Sequence, residues 1–177
     1  ENVGTYGVYP VRSTDVLIER VTVTGVDDAG IYAGQSENVT VRDSVAYGNV
    51  IGIELENTLG GELYNNHLYD NSNGILLVLL PQLSSKISSG AIVRDNLVEN
   101  NNHPNFAPEG GMARIVPPGT GILISGSDNN EVFNNTITGN KTAGIAVFSL
   151  TGTGAFNENE LDVGPLAENN FPHNNTF

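Results

Sequence analysis

The residues of this 177-residue chain best suited to chemistry are Arg42, Tyr47, Tyr64, His67, Tyr69, Arg94 and Glu99. Their types match what a uronate polysaccharide demands of a protein. Arginine neutralises a sugar carboxylate, a tyrosine ring stacks on a sugar face, and histidine or tyrosine moves the proton beside the carboxylate. On that reading Arg42, His67, Tyr69 and Arg94 are candidate catalytic groups of a lyase or C5-epimerase. Tyr47, Tyr64, Tyr69 and Glu99 are candidate ligand-binding groups. The same side chains, repeated along a sheet face, also serve as plain decoration, because stacked rings and Arg–Glu pairs stabilise neighbouring strands. Asp27 and Asp28, in GVDDAG, are candidate calcium ligands, or else a solvated turn. No other cofactor is implied. His67, His103 and His173 fall in different repeats, which is no basis for a shared transition-metal site.

What brings the candidates together is a rhythm. A glycine precedes a β-branched run at Gly7, Gly30, Gly52, Gly74, Gly121 and Gly144, with gaps of 23, 22, 22, 47 and 23 residues. A self-similar period in the twenties without helical patterning predicts a solenoid. Alignment on that period places Ile18, Val41, Leu63, Val93, Val132 and Phe156 in one apolar column, and Val23, Ala46, Leu68, Val98, Ile137 and Leu161 in a second. Two more columns follow the glycine: Val8, Ile31, Ile53, Ile75, Ile122 and Ile145, then Pro10, Ala33, Leu55, Leu77, Ile124 and Val147. Alternation within each run makes these inward positions of strands stacked about 4.8 Å apart. The fold class is therefore all-β: a right-handed parallel β-helix with three strands per coil and about seven coils of 22–23 residues. Ser44, Asn66, Asn96, Asn135 and Asn159 share a corner, where an inward amide bonds to its copy on the next coil. The last coil is placed at 144–165.

Residues 1–177 read as one domain, with loop insertions at 81–90 and 103–120. Both ends fall in mid-pattern, which suggests a segment of a longer chain. Seven basic residues against twenty acidic ones give a net charge of −13, which repels nucleic acid and anionic lipid. There is no cysteine, hence no disulfide, thiolate metal site or thiol nucleophile. The longest apolar run, Ile75 to Leu80, is too short to cross a bilayer.

The units NVTVRDSVAYGNVIGI and VFNNTITGNKTAGIAV resemble the parallel β-helix repeats of carbohydrate-associated secreted proteins, a group that includes pectate-lyase-like enzymes and alginate epimerases. The stretch from Phe106 to Ile122, with NNTITGNKTAGIAV after it, is most similar to bacterial β-helix proteins without an assigned activity. The resemblance implies an exported protein, secreted, periplasmic or at the cell surface, with a polysaccharide as partner. It does not supply catalytic motifs. The Asp-Pro-His of alginate epimerases is missing, and no Gly-His-Gly or Arg-Ile-Lys follows Asp27-Asp28. Three readings stand: a scaffold or interaction protein that binds polysaccharide, a uronate lyase or epimerase, and a structural subunit stacking end to end. Outward Leu76, Val78, Leu123 and Phe148 form an apolar patch. Its cover is expected to be the 103–120 insertion, or a protein partner or second copy.

Overall fold

A computed structural model describes residues 4–177. The first complete turn runs through β1 (Thr14–Glu19), β2 (Thr22–Thr24) and β3 (Ala29–Gly34), and the second through β4 (Glu37–Arg42), β5 (Val45–Tyr47) and β6 (Ile51–Glu56). The third comprises β7 (Leu59–Tyr64), β8 (His67–Tyr69) and β9 (Asn73–Val78), and the fourth β10 (Ser89–Arg94), β11 (Leu97–Glu99) and β12 (Thr120–Ser125). Then come β13 (Glu131–Phe133), β14 (Thr136–Thr138), β15 (Ala143–Phe148) and finally β16 (Phe171–His173). Every strand pairs in parallel with its counterpart one turn away, giving three sheets in the orders β1-β4-β7-β10-β13-β16, β2-β5-β8-β11-β14 and β3-β6-β9-β12-β15. Single bridges, Val8 to Ile31 and Thr136 to Thr176, extend the third and second sheets by one rung each. The chain is a parallel β-helix, and its only helical elements among the described residues are three short 3-10 turns.

The four inward columns meet in one core. Val41, Leu63, Val93 and Val132 on the first sheet face Ala46, Leu68, Val98 and Ile137 on the second, and Ile31, Ile53, Ile75 and Ile122 on the third. Asn66 Nδ2 donates to Asn96 Oδ1 at 3.0 Å, and Asn96 Nδ2 to Asn135 Oδ1 at 2.9 Å, so the predicted corner ladder is formed. A second ladder stands at the next corner, where Asn49, Asn71, Asn101 and Asn140 are linked in the same way at 3.1, 2.9 and 3.2 Å. The residue before each ladder position has positive φ: Asp43, Asn65, Asp95 and Asn134 at the first corner, Gly48, Asp70, Asn100 and Gly139 at the second. Asn, Asp and Gly tolerate that region best, which accounts for their abundance here.

The glycine rhythm has a different cause. A Cβ at Gly52, Gly74 or Gly121 would lie only 2.5, 2.6 or 2.6 Å from the carbonyl oxygen of the glycine on the next turn. Close backbone stacking, not turn geometry, requires the missing side chain.

Past Phe148 the structure departs from the expected columns. Val132 pairs with Pro172 and Asn135 Nδ2 bonds to Asn175 Oδ1 at 3.0 Å, so Phe156, Asn159 and Leu161 do not continue the rod. Residues 149–168 instead leave it as an excursion with two 3-10 turns at Thr151–Thr153 and Glu158–Glu160, and the coil placed at 144–165 is completed only at 171–176. The spacing of Phe156 and Leu161 imitates the repeat, but Gly152, Gly154 and the polar run from Asn157 to Glu160 offer no β-branched strand to pair.

Substitution of Gly74 by Ala is expected to lower the unfolding free energy by about 1–3 kcal/mol through overpacking against the neighbouring turn. Gly164, whose added Cβ meets nothing within 4 Å, is the control, and urea denaturation of the two variants makes the comparison.

Candidate functional site

The seven residues singled out for chemistry sort into two groups on different sheets. On the first, Arg42 donates from Nε and Nη2 to Glu19 Oε2 at 3.0 and 2.6 Å, and from Nη1 to the Tyr64 hydroxyl at 3.1 Å. Arg94 donates to Glu62 Oε1 and Asp95 Oδ2 while its guanidinium lies 4.2 Å over the Tyr64 ring. On the second sheet, across the Asn66 corner, Tyr47 and Tyr69 stack at 4.9 Å, His67 lies against Tyr69, and His67 Nε2 meets Glu99 Oε1 at 2.9 Å. Each arginine already has carboxylate partners, and the Arg42 hydrogen bond holds Glu19 below the usual carboxylate range. The groups bind one another from strand to neighbouring strand, which is the geometry of cross-strand decoration.

Asp27 and Asp28 line different cavities. Asp28 Oδ2 accepts the Tyr6 hydroxyl at 3.1 Å and faces a large cavity, whereas Asp27 lines a smaller one with Gly4, Gly25, His103 and Phe106. Among the described residues no group of three or more Asp, Glu, His or Cys side chains is placed to hold a metal ion.

The large cavity, about 670 Å³, lies on the outer face of the third sheet. Its floor is built by two outward columns, Glu54, Leu76, Leu123 and Ala146, and beside them Glu56, Val78, Ser125 and Phe148, which continue one turn earlier as Tyr32 and Gly34. Those columns grade from aromatic and acidic in the early turns to apolar in the later ones. The 103–120 insertion forms one wall, with Ala107, Ala113 and Val116 buried against Leu76, Val78 and Leu123. Leu150, Gly152 and Phe156 of the excursion form another. The apolar patch is thus covered from within the chain at Leu76, Val78 and Leu123, while Phe148 is 43 % exposed. Met112 and Ile115 line the cavity without closing it.

At the acidic end only Asp28 was among the residues chosen from sequence, as a calcium candidate; Glu54 and Glu56 were not. Tyr9 stacks on both Tyr6 and Tyr32 with ring centroids 4.3 and 4.7 Å apart, and the Tyr32 hydroxyl donates to Glu56 Oε1 at 2.6 Å. Tyr32 lies flat across Gly34, where any side chain would collide with the ring. Glu54 is only 6 % exposed and has no hydrogen-bond partner among the described residues. Burial, reinforced by the charges of Asp28 and Glu56, pushes its carboxyl well above the usual range. Burial likewise raises Asp28 to about 6, against the opposing Tyr6 hydrogen bond, and raises Glu56 against that of Tyr32. Ser125 is also buried in the cavity wall, with its Oγ unpartnered. Perturbed carboxyls in a cavity with unsatisfied polar atoms mark a site on physical grounds. The signal in the sequence was the break of pattern itself: Glu54 and Glu56 stand where later turns carry Leu, Val, Ser, Ala and Phe.

Residues 1–161 match the family model described as right handed beta helix region. No curated protein and no solved structure is matched.

The three acids hold their protons more tightly in the folded chain than in the unfolded one. Between the ordinary carboxylate range and the raised values, unfolding therefore releases protons, and stability falls as pH rises through about 6, where Asp28 titrates. The thermal midpoint is expected to be higher near about pH 5 than near about pH 7. Glu54→Gln, which fixes the neutral shape, is expected to shrink that difference; an unchanged difference in parallel melts would refute the assignment.

Proposed function

This chain belongs to the right-handed β-helix family, and we propose that it is an exported scaffold that binds carbohydrate in the roofed cavity on its third sheet. The observation that carries the reading is Ser125 Oγ, buried and unpartnered in the wall of the cavity that Glu54, a largely buried carboxyl, also lines. Buried polar groups are ordinarily satisfied, so a bound molecule is the natural partner. Sugars suit the surroundings. Their hydroxyls pair with carboxyl oxygens and with Ser125 Oγ, and their C–H faces lie against Tyr6 and the apolar floor.

The lining contains no Arg, Lys or His among the described residues, which counts against a uronate substrate, since nothing there neutralises its carboxylate. Arg42 and Arg94, the groups a uronate lyase or epimerase would need, are on another sheet and engaged with Glu19, Glu62 and Asp95. Exported status rests on the resemblance of the repeats to carbohydrate-associated secreted proteins.

Calorimetric titration against a panel of neutral and charged oligosaccharides tests the reading. Ala146→Phe, which fills the floor of the cavity, is expected to weaken binding at least about tenfold, or about 1.4 kcal/mol. His67→Ala and Arg94→Ala are expected to leave it unchanged. The reverse pattern would move the site to the corner faces, and silence across the panel would remove the carbohydrate reading.

A further inference from the structure

Asp28, Glu54 and Glu56 sit at one end of the cavity, and the lining offers them no basic counter-charge among the described residues. The repulsion is expressed in their coupling: the Asp28 and Glu56 charges act on Glu54, and the Glu56 and Asp27 charges act on Asp28. Tyr6 and Tyr32 each donate one hydroxyl to this set, and both phenols are raised well above their ordinary range, chiefly by burial, so they remain neutral donors. Each carboxyl so bonded still has free lone pairs. Glu54 has all of its own, and Ser125 Oγ waits unpaired in the same wall. Of the three packed tyrosines Tyr6 lines the cavity, and the negative face of such a ring attracts a cation.

Resting on the reading that this cavity is a binding site, we propose that its ligand carries a protonated amine. The amine is seated beside Tyr6 among Asp28, Glu54 and Glu56, and the rest of the ligand lies along Leu123, Ala146 and Phe148. A neutral sugar hydroxyl can satisfy Glu54 but leaves the clustered acids unrelieved. An ammonium supplies donors and offsets the charge in a low-dielectric setting, where the attraction is strongest. A compact metal ion does not fit the same role, because the acids are not grouped tightly enough to ligate one and most of the lining is apolar. Two ligand sources share this chemistry, an amino sugar and an alkyl amine, and the experiment separates them.

The full chain is titrated calorimetrically with a glucosamine tetramer, with the matching glucose tetramer, which carries hydroxyl in place of amine, and with hexylamine. The glucosamine tetramer is expected to bind at least about tenfold tighter than the glucose tetramer. Glu54→Gln and Asp28→Asn are each expected to reduce that preference severalfold, with an unchanged far-ultraviolet spectrum showing that the variants fold. Equal affinity for the two tetramers would overturn the amine and leave the carbohydrate reading in place. Binding of hexylamine as tight as that of the amino sugar, with no binding of the glucose tetramer, would uphold the amine and remove the carbohydrate. Failure of all three ligands to bind would overturn both.

Discussion

Parallel coils lie one β-spacing apart, so every position of this chain is pressed against its own counterpart on the turns above and below. That contact selects residues more sharply than burial does. An apolar side chain stacks on another with little penalty, and Ile31, Ile53, Ile75 and Ile122 do so in file. An asparagine stacked on an asparagine is better still, because its Nδ2 finds the next Oδ1 while the same oxygen accepts a backbone amide, as Asn96 Oδ1 does from Asn66 N at 3.0 Å. A charge stacked on a like charge is penalised, and a side chain facing a carbonyl 2.6 Å away is excluded. The glycine column, the two asparagine ladders and the aliphatic core are three answers to one spacing.

That spacing explains why so much of the rod could be read in advance. Residues that obey it recur, and recurrence survives in a single sequence: the glycines, the inward columns and the ladder through Asn66, Asn96 and Asn135 are all of this kind. The ladder through Asn49, Asn71, Asn101 and Asn140 obeys the same rule, but a Gly-Asn pair such as Gly139-Asn140 reads in sequence simply as a turn. Their inward direction shows only once the second corner is built, with Asn71 Nδ2 reaching Ala46 O at 2.9 Å. Where periodicity failed was at Phe156, Asn159 and Leu161, which keep the phase while the chain has left the rod. The true copy, Phe171 to Thr176, sits 40 residues from Glu131 to Asn135 in the register, too far for a rhythm of 22 or 23 to flag.

The aperiodic parts behave oppositely. Insertion 103–120 enters the third sheet from the second corner, and the excursion 149–168 leaves it at the opposite edge, so this sheet is flanked by chain on both sides. Asp162 ties the excursion to the 81–90 loop through the Gln82 amide at 2.8 Å and the Lys86 ammonium, and so fixes the position of that wall. The first and second sheets stay open to solvent, and there charged and aromatic side chains satisfy one another by pairing across strands. On the third sheet the same outward positions are removed from water, so Tyr32 and the three acids meet a low dielectric that the corner residues never experience. Identical sheet geometry thus yields decoration on two faces and a perturbed cluster on the third, and the difference lies in what covers them.

Covering acids in this way opposes folding, since each buried carboxyl either forgoes its charge or holds it without a cation nearby. A small compact core would feel this acutely. In a β-helix the cost is local, because each turn is held mainly by its neighbours and the ladders run through the same turns that carry Glu54 and Glu56. The Asn49 and Asn71 rungs flank β6, which bears both glutamates, and Gly52 fixes the distance to the turn beyond. The strand that carries the strain is therefore paired on both edges, by β3 and by β9. The paired strand thus holds Glu54 at the cavity wall, on the face where the chain leaves space beside it.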